Sequence, residues 1–200
     1  MNRIIKNTLI LTLITTISGI ALGTVYEVTK EPIRITEMNA KKEACKVAFP
    51  DADEFEQMDV DVAVAEDVIN KMQVKATVDE IYTAMEGGEP VGYVITATDK
   101  EGYGGDIQIS VGVYNDGKTN GVSILSISET AGLGMKAKEP AFYEQYMNKE
   151  TDSFYVAKDG GAGEPIDALS GATITSRAVT GAVNTALGYY QNALGVNVNE

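Results

Sequence analysis

Val91-Gly92-Tyr93-Val94-Ile95-Thr96-Ala97 alternates large apolar residues with smaller or polar ones, and Ile107-Gln108-Ile109-Ser110-Val111-Gly112-Val113 does the same. Successive side chains of a strand point to opposite faces, so Val91, Tyr93, Ile95 and Ala97 share one face, as do Ile107, Ile109, Val111 and Val113. The connections have turn chemistry. Gly87-Gly88 follows Ile81–Glu86, Asp99–Gly105 is glycine-rich, and Asn115-Asp116-Gly117 precedes Val122, Ile124 and Ile127. Runs of this kind joined by such turns predict an antiparallel meander with one buried face.

The cover for that face lies downstream. Ser176–Ala193 places Ala178, Val179, Ala182, Val183, Ala186, Leu187 and Tyr190 on one helical stripe, and Glu139–Asn148 offers Phe142, Tyr143 and Tyr146. The fold class is therefore α+β, an antiparallel sheet packed by helices. Upstream, Ile33–Phe49 reads as a helix with an apolar stripe of Ile35, Met38, Ala44, Cys45 and Ala48, ended by Pro50 and Asp51. Cys45 on that stripe reads as a small buried residue rather than a reactive thiol. Residues 51–79 are acidic and poorly periodic, and receive no assignment.

Asn7–Val28 carries no charge before Glu27 and is dominated by Leu and Ile. A single membrane-spanning helix needs about 20 such residues. Arg3 and Lys6 precede it, so the positive-inside rule expects a cytoplasmic N-terminus and an extracytoplasmic chain after Tyr26. Ala21-Leu22-Gly23 also resembles a signal-peptide cleavage site. An uncleaved anchor is preferred, because no lipobox cysteine follows and the run continues into a polar helical stretch. Three segments are expected: a cytoplasmic tip and transmembrane anchor at 1–30, a stalk helix and acidic connection at 31–76, and a domain at 77–200.

Net charge is −13, and the few basic residues of the first segment make the remainder more acidic still. Such a surface repels nucleic acid and serves solubility. With no histidine and a single cysteine, the chain has no ligands for structural zinc or a Cys-ligated iron–sulfur cluster, and no Ser-His-Asp triad. Redox chemistry here requires an organic cofactor.

Asp167-Ala168-Leu169-Ser170-Gly171-Ala172-Thr173-Ile174-Thr175-Ser176 places a threonine hydroxyl behind two small residues, just where a helix is expected to begin. Gly171 and Ala172 allow a phosphorylated group to approach the backbone, and helix amides favour an anion there. An ordinary turn with a threonine cap is the plainer account of the same residues. The stretch resembles the flavinylation motif Asp-x-x-Ser/Thr-Gly-Ala-Thr of the FMN-binding domains. That resemblance implies covalent FMN, joined through its phosphate to Thr173 by a flavin transferase, with Asp167, Ser170, Gly171, Ala172 and Thr175 around it. Arg177, one turn into the helix, either helps neutralise the phosphate or is solvated.

Ser128-Glu129-Thr130-Ala131-Gly132-Leu133-Gly134 resembles the Glu-Thr-Pro-Gly-Leu-Gly loop of the G subunits of Rnf electron-transport complexes and of the related C subunits of sodium-pumping quinone reductases. Gly102-Tyr103-Gly104-Gly105-Asp106-Ile107 is similar to the Gly-Tyr-x-Gly-x-Ile segment of that family. By this resemblance Glu129, Thr130, Gly132, Leu133, Gly134 and Tyr103 join the flavin contacts. Ile127 stands where relatives often have histidine, and Ala131 replaces their proline.

The resemblance implies a membrane-anchored FMN carrier in an Rnf-type ferredoxin–NAD oxidoreductase that couples electron transfer to sodium or proton translocation. Its implied partners are the other complex subunits, including a second flavin-bearing membrane subunit and a ferredoxin-like iron–sulfur subunit. On this reading the chain has no catalytic side chains and no metal. The C subunit of a quinone reductase, a stand-alone exported flavoprotein and a cofactor-free binding or sensor domain remain as alternatives.

Overall fold

The computed structural model describes residues 3–195; the outermost ends of the segments expected at 1–30 and 77–200 lie outside those residues. The chain divides into two compact units, Met1–Lys41 and Lys42–Glu200. Helix α1, Arg3–Ala48, runs unbroken through the expected boundary at residue 30, with Pro32 inside it. It is long and apolar enough to cross a membrane, and none of its most apolar window is buried by protein. Thr8, Thr16, Thr24 and Thr29 each donate their hydroxyl to the carbonyl four residues earlier, at 2.8–3.0 Å. A threonine bonded in this way adds little polar surface to a helix in lipid.

The second unit is built on a five-stranded antiparallel sheet in sequential order: β1 Glu54–Met58, β2 Ala76–Glu86, β3 Glu89–Asp99, β4 Ile107–Tyr114 and β5 Thr119–Ser126. The last four strands are the meander expected from the alternation. One face, carrying Ile81, Ile95, Ala97, Ile107, Ile109, Val111 and Val113, forms the main core with the long C-terminal helix. The other face receives Cys45, Ala48 and Phe49 from the end of α1, against Ala84 and Val94. Cys45 is buried, which pushes its thiol pKa up to about 11, in keeping with a packing role. Ile35 and Met38, expected on the same stripe, are exposed.

Four features depart from the sequence reading. Residues 51–79 contain β1 and helix α2, Val62–Met72, whose first turn is capped by Asp61 Oδ1 accepting the Ala63 and Val64 amides at 3.0 and 3.2 Å. The helix expected over Glu139–Asn148 is one turn, α3 Pro140–Tyr143, followed by a 3₁₀ turn at Glu144–Tyr146. Burial of Phe142 and Tyr146, with the Tyr146 hydroxyl 2.8 Å from Thr180 Oγ1, holds this segment as turns. Strands β6 Phe154–Val156 and β7 Glu164–Ile166 form a small parallel pair. Helix α4 spans Thr173–Tyr189, starting three residues before the expected Ser176, and passes into a π turn at Tyr190–Leu194. Its expected stripe is buried, and fully burying Val179, Val183 and Leu187 is worth about 1.5–3 kcal/mol each.

Candidate functional site

The turn before α4 is built around Gly171, at φ 75°, a conformation that glycine adopts without strain. The Ala172 amide donates to Leu169 O at 3.0 Å. Ser176 clamps the turn from inside the helix: its Oγ accepts the Leu169 amide at 2.9 Å and donates to Ala172 O at 3.0 Å. Thr173 is therefore the first helical residue. Ala172, at the cap position, offers no side-chain acceptor to the first-turn amides. An uncapped helix start retains partial positive charge and free donors.

A cavity of about 550 Å³ opens at this point. The turn contributes Gly171, Ala172, Thr173 and Thr175, and the loop after β5 contributes Glu129, Thr130, Leu133 and Gly134. Tyr103, from the loop between β3 and β4, is the other residue expected from sequence that lines it. Ile174, which the sequence reading missed, also lines it. Its position between Thr173 and Thr175 on a helix carries no local signal of its own. Tyr103, Leu133 and Ile174 are 72%, 43% and 46% exposed, which gives the cavity apolar walls open to one side.

The three chain segments are locked to one another. Glu129 is buried, and its Oε1 accepts the Gly104 amide at 3.3 Å. A side chain on Gly104 would run into the Ser128 carbonyl. Thr130 O accepts the amides of Leu133 and Met135 at 3.1 and 3.2 Å, closing the loop in which Gly132 takes φ 77°.

Ser170, Asp167, Gly132 and Arg177 do not line the cavity. The Asp167 amide donates to Gln145 Oε1 at 2.7 Å, tying the motif's start to the 3₁₀ turn. Arg177 is neither solvated alone nor turned to the cavity: its Nε and Nη2 meet Asp159 Oδ2 and Oδ1 at 2.7 and 2.5 Å. Its guanidinium holds the Asp159 carboxyl below the usual carboxylate range. Among the described residues, Glu129 and Tyr103 alone are ionisable and line the cavity, so an anion there would rely on the α4 amides. A larger cleft of about 670 Å³ near Tyr190 contains Asp116, Glu150 and Asp152 and none of the motif residues.

The arrangement suits a group with an anionic end, a polar middle and a flat apolar part. Residues 102–188 match the FMN-binding domain family. The G subunit of the proton-translocating ferredoxin:NAD(+) oxidoreductase complex of Clostridium ljungdahlii is 36% identical over 186 residues, covering 93% of this chain and 91% of that protein. The G subunit of the Na(+)-translocating ferredoxin:NAD(+) oxidoreductase complex of Acetobacterium woodii is 32% identical, covering 94% and 92%. The G subunit of an ion-translocating oxidoreductase complex of Methanosarcina acetivorans is 30% identical, covering 94% of each.

Proposed function

The chain belongs to the family of G subunits of ion-translocating oxidoreductase complexes and carries an FMN-binding domain, and from that premise we propose that it is a membrane-anchored electron carrier holding FMN on Thr173. The observation that carries this reading is the position of Thr173. It is the first residue of α4, and it opens into the cavity where all three motif loops meet. When bound, FMN would supply the one-electron carrier chemistry.

The residues divide the work of holding it. Attachment would form the bond from the Thr173 oxygen to the flavin phosphorus as the transferase breaks the P–O bond to the leaving nucleotide of an activated, nucleotide-linked FMN, with loss of the hydroxyl proton. The uncapped amides of α4 hold the resulting phosphodiester charge. Leu133, Ile174 and Tyr103 supply apolar area for the ring and exclude water along it. Gly134 and Gly104 let the loops pack closely enough to form the cavity floor. Arg177, engaged with Asp159, lies one turn below and leaves the phosphate to the backbone. A covalent link also keeps the cofactor in place in an outside medium poor in FMN.

As a subunit of a ferredoxin:NAD oxidoreductase, the chain would pass electrons between cofactors of its neighbours, a second flavin-bearing membrane subunit and a ferredoxin-like iron–sulfur subunit among them. Its domain would lie outside the cytoplasm, with a flavin transferase acting on it during maturation. Co-expression with that transferase should add one FMN to the intact mass. Thr173→Val should remove the addition, and Thr173→Ser should retain part of it. Flavin that survives denaturation on the Val variant would refute Thr173 as the attachment residue.

A further inference from the structure

Beyond the attachment candidate Thr173, one α4 hydroxyl at the cavity stands apart from the bonded ones. Ser176 donates to Ala172 O at 3.0 Å, Thr180 to Ser176 O at 2.8 Å and Thr185 to Gly181 O at 2.8 Å. Thr175 is only 1% exposed and lines the cavity, yet among the described residues its hydroxyl has no hydrogen-bond partner. Lining the cavity, this hydroxyl is available to an acceptor placed there.

Glu129 stands opposite. One carboxylate oxygen takes the Gly104 amide, and the other borders Gly134. A Cβ on Gly134 would lie 2.6 Å from Thr175 Oγ1 and 2.8 Å from Glu129 Oε2. With no side chain on Gly134, Thr175 Oγ1 and Glu129 Oε2 close in on it, so a donor and an acceptor stand near each other in the cavity lining. A carboxylate repels phosphate, so this pair is not the phosphate seat. An alcohol hydroxyl both accepts and donates, and matches the pair. Thr175 lies two residues from Thr173, an axial rise of about 3 Å. The part of FMN nearest its phosphate is the polyhydroxylated ribityl chain.

We propose that Thr175 and Glu129 bind the ribityl chain through its hydroxyls, so that the cavity recognises a flavin before and without the covalent bond; this rests on FMN being the occupant. The test uses the full chain in detergent, expressed without a transferase and titrated with riboflavin or lumiflavin under flavin-fluorescence readout. Lumiflavin has the same ring with a methyl group in place of the ribityl chain, and neither ligand has a phosphate.

The parent should bind riboflavin more tightly than lumiflavin. Thr175→Val should weaken riboflavin about tenfold and leave lumiflavin unchanged, Glu129→Gln should act in the same direction, and Thr175→Ser should restore binding. The inference is overturned by a parent that fails to bind riboflavin, by equal affinity for the two ligands, or by a Val variant that matches the parent. Equal weakening of both ligands by Thr175→Val, or a Ser variant as weak as Val, overturns it too. Intact mass after transferase treatment reads the attachment separately. A parent that binds riboflavin but takes up no covalent flavin would sink the Thr173 assignment and leave this inference standing.

Discussion

Asp99, the last residue of β3, holds its carboxyl group almost out of reach of water, at 3% exposure. Oδ1 accepts the Glu101 amide at 2.8 Å, and Oδ2 lies against Gly181 of α4, where any Cβ would collide with it. Burial pushes its pKa up to about 6, opposed by the Glu101 amide and reinforced by the charges of Glu101 and Asp106. Across the same small cavity stands Arg177, already engaged by Asp159. Between the ordinary value of 3.8 and about 6 the folded chain keeps a proton that the unfolded chain has lost. Its contribution to stability therefore falls as pH rises through that window and stays low above it. Asp99→Asn should raise the melting temperature at pH 7.5, with an advantage that shrinks towards pH 5. A difference independent of pH would count against the raised pKa. At this scale motif resemblance pointed to Thr173, Glu129 and Tyr103, which the structure brings to one cavity. It left Arg177 between phosphate and solvent, because Asp159 reaches it only through the folded chain. Ser176 was missed, since a serine inside a helix shows its grip on the preceding turn only once that turn has folded back.

Among the elements, the end of α1 lies against the sheet at three glycines. Gly112 and Gly121 sit where a Cβ would meet the Ala48 carbonyl, and a Cβ on Gly92 would lie 2.6 Å from the Phe49 ring. These positions also keep one face of the meander nearly flat, which lets Ala48 and Phe49 bury completely. Gly112→Val should cost about 1–3 kcal/mol through overpacking, read as a lower unfolding midpoint of the full chain. Flavinylation of Thr173 should persist below that midpoint, because α4 packs on the opposite face. An unchanged midpoint would mean that α1 gives way without cost. The meander and α4 were legible because period-two and period-3.6 burial is written into consecutive residues. Strand β1 was not: four of its five residues are exposed, and pairing with β2 holds it in place. The pair β6 and β7 is likewise three residues long on each side, too short to show a period.

For the whole molecule, the question is which side of the membrane the second unit occupies. Arg3 and Lys6 ahead of the apolar run favour a cytoplasmic N-terminus and an external domain. Lys158 is exposed. Lys158→Cys in a Cys45→Ala background should therefore react with a membrane-impermeant thiol reagent in intact spheroplasts. Labelling that requires lysis would reverse the topology. The acidic residues that follow the apolar run, within a net charge of −13 for the whole chain, also keep the second unit soluble in water.

By itself the sequence determined the α+β class and the apolar length of the anchor, and it restricted any redox chemistry of the chain to an organic cofactor. Each of these follows from residue type and local spacing, which survive without knowledge of distant neighbours. The tertiary structure decided what depends on convergence. Glu129 and Gly134 share one stretch and Thr175 lies in another, and they meet only because the loop after β5 closes on the first turn of α4. The pairing of Arg177 with Asp159, the burial of Asp99 against Gly181 and the seat of Phe49 over Gly92 have the same origin. Distances of a few ångströms between residues far apart in the chain are set by packing, and no local period encodes them.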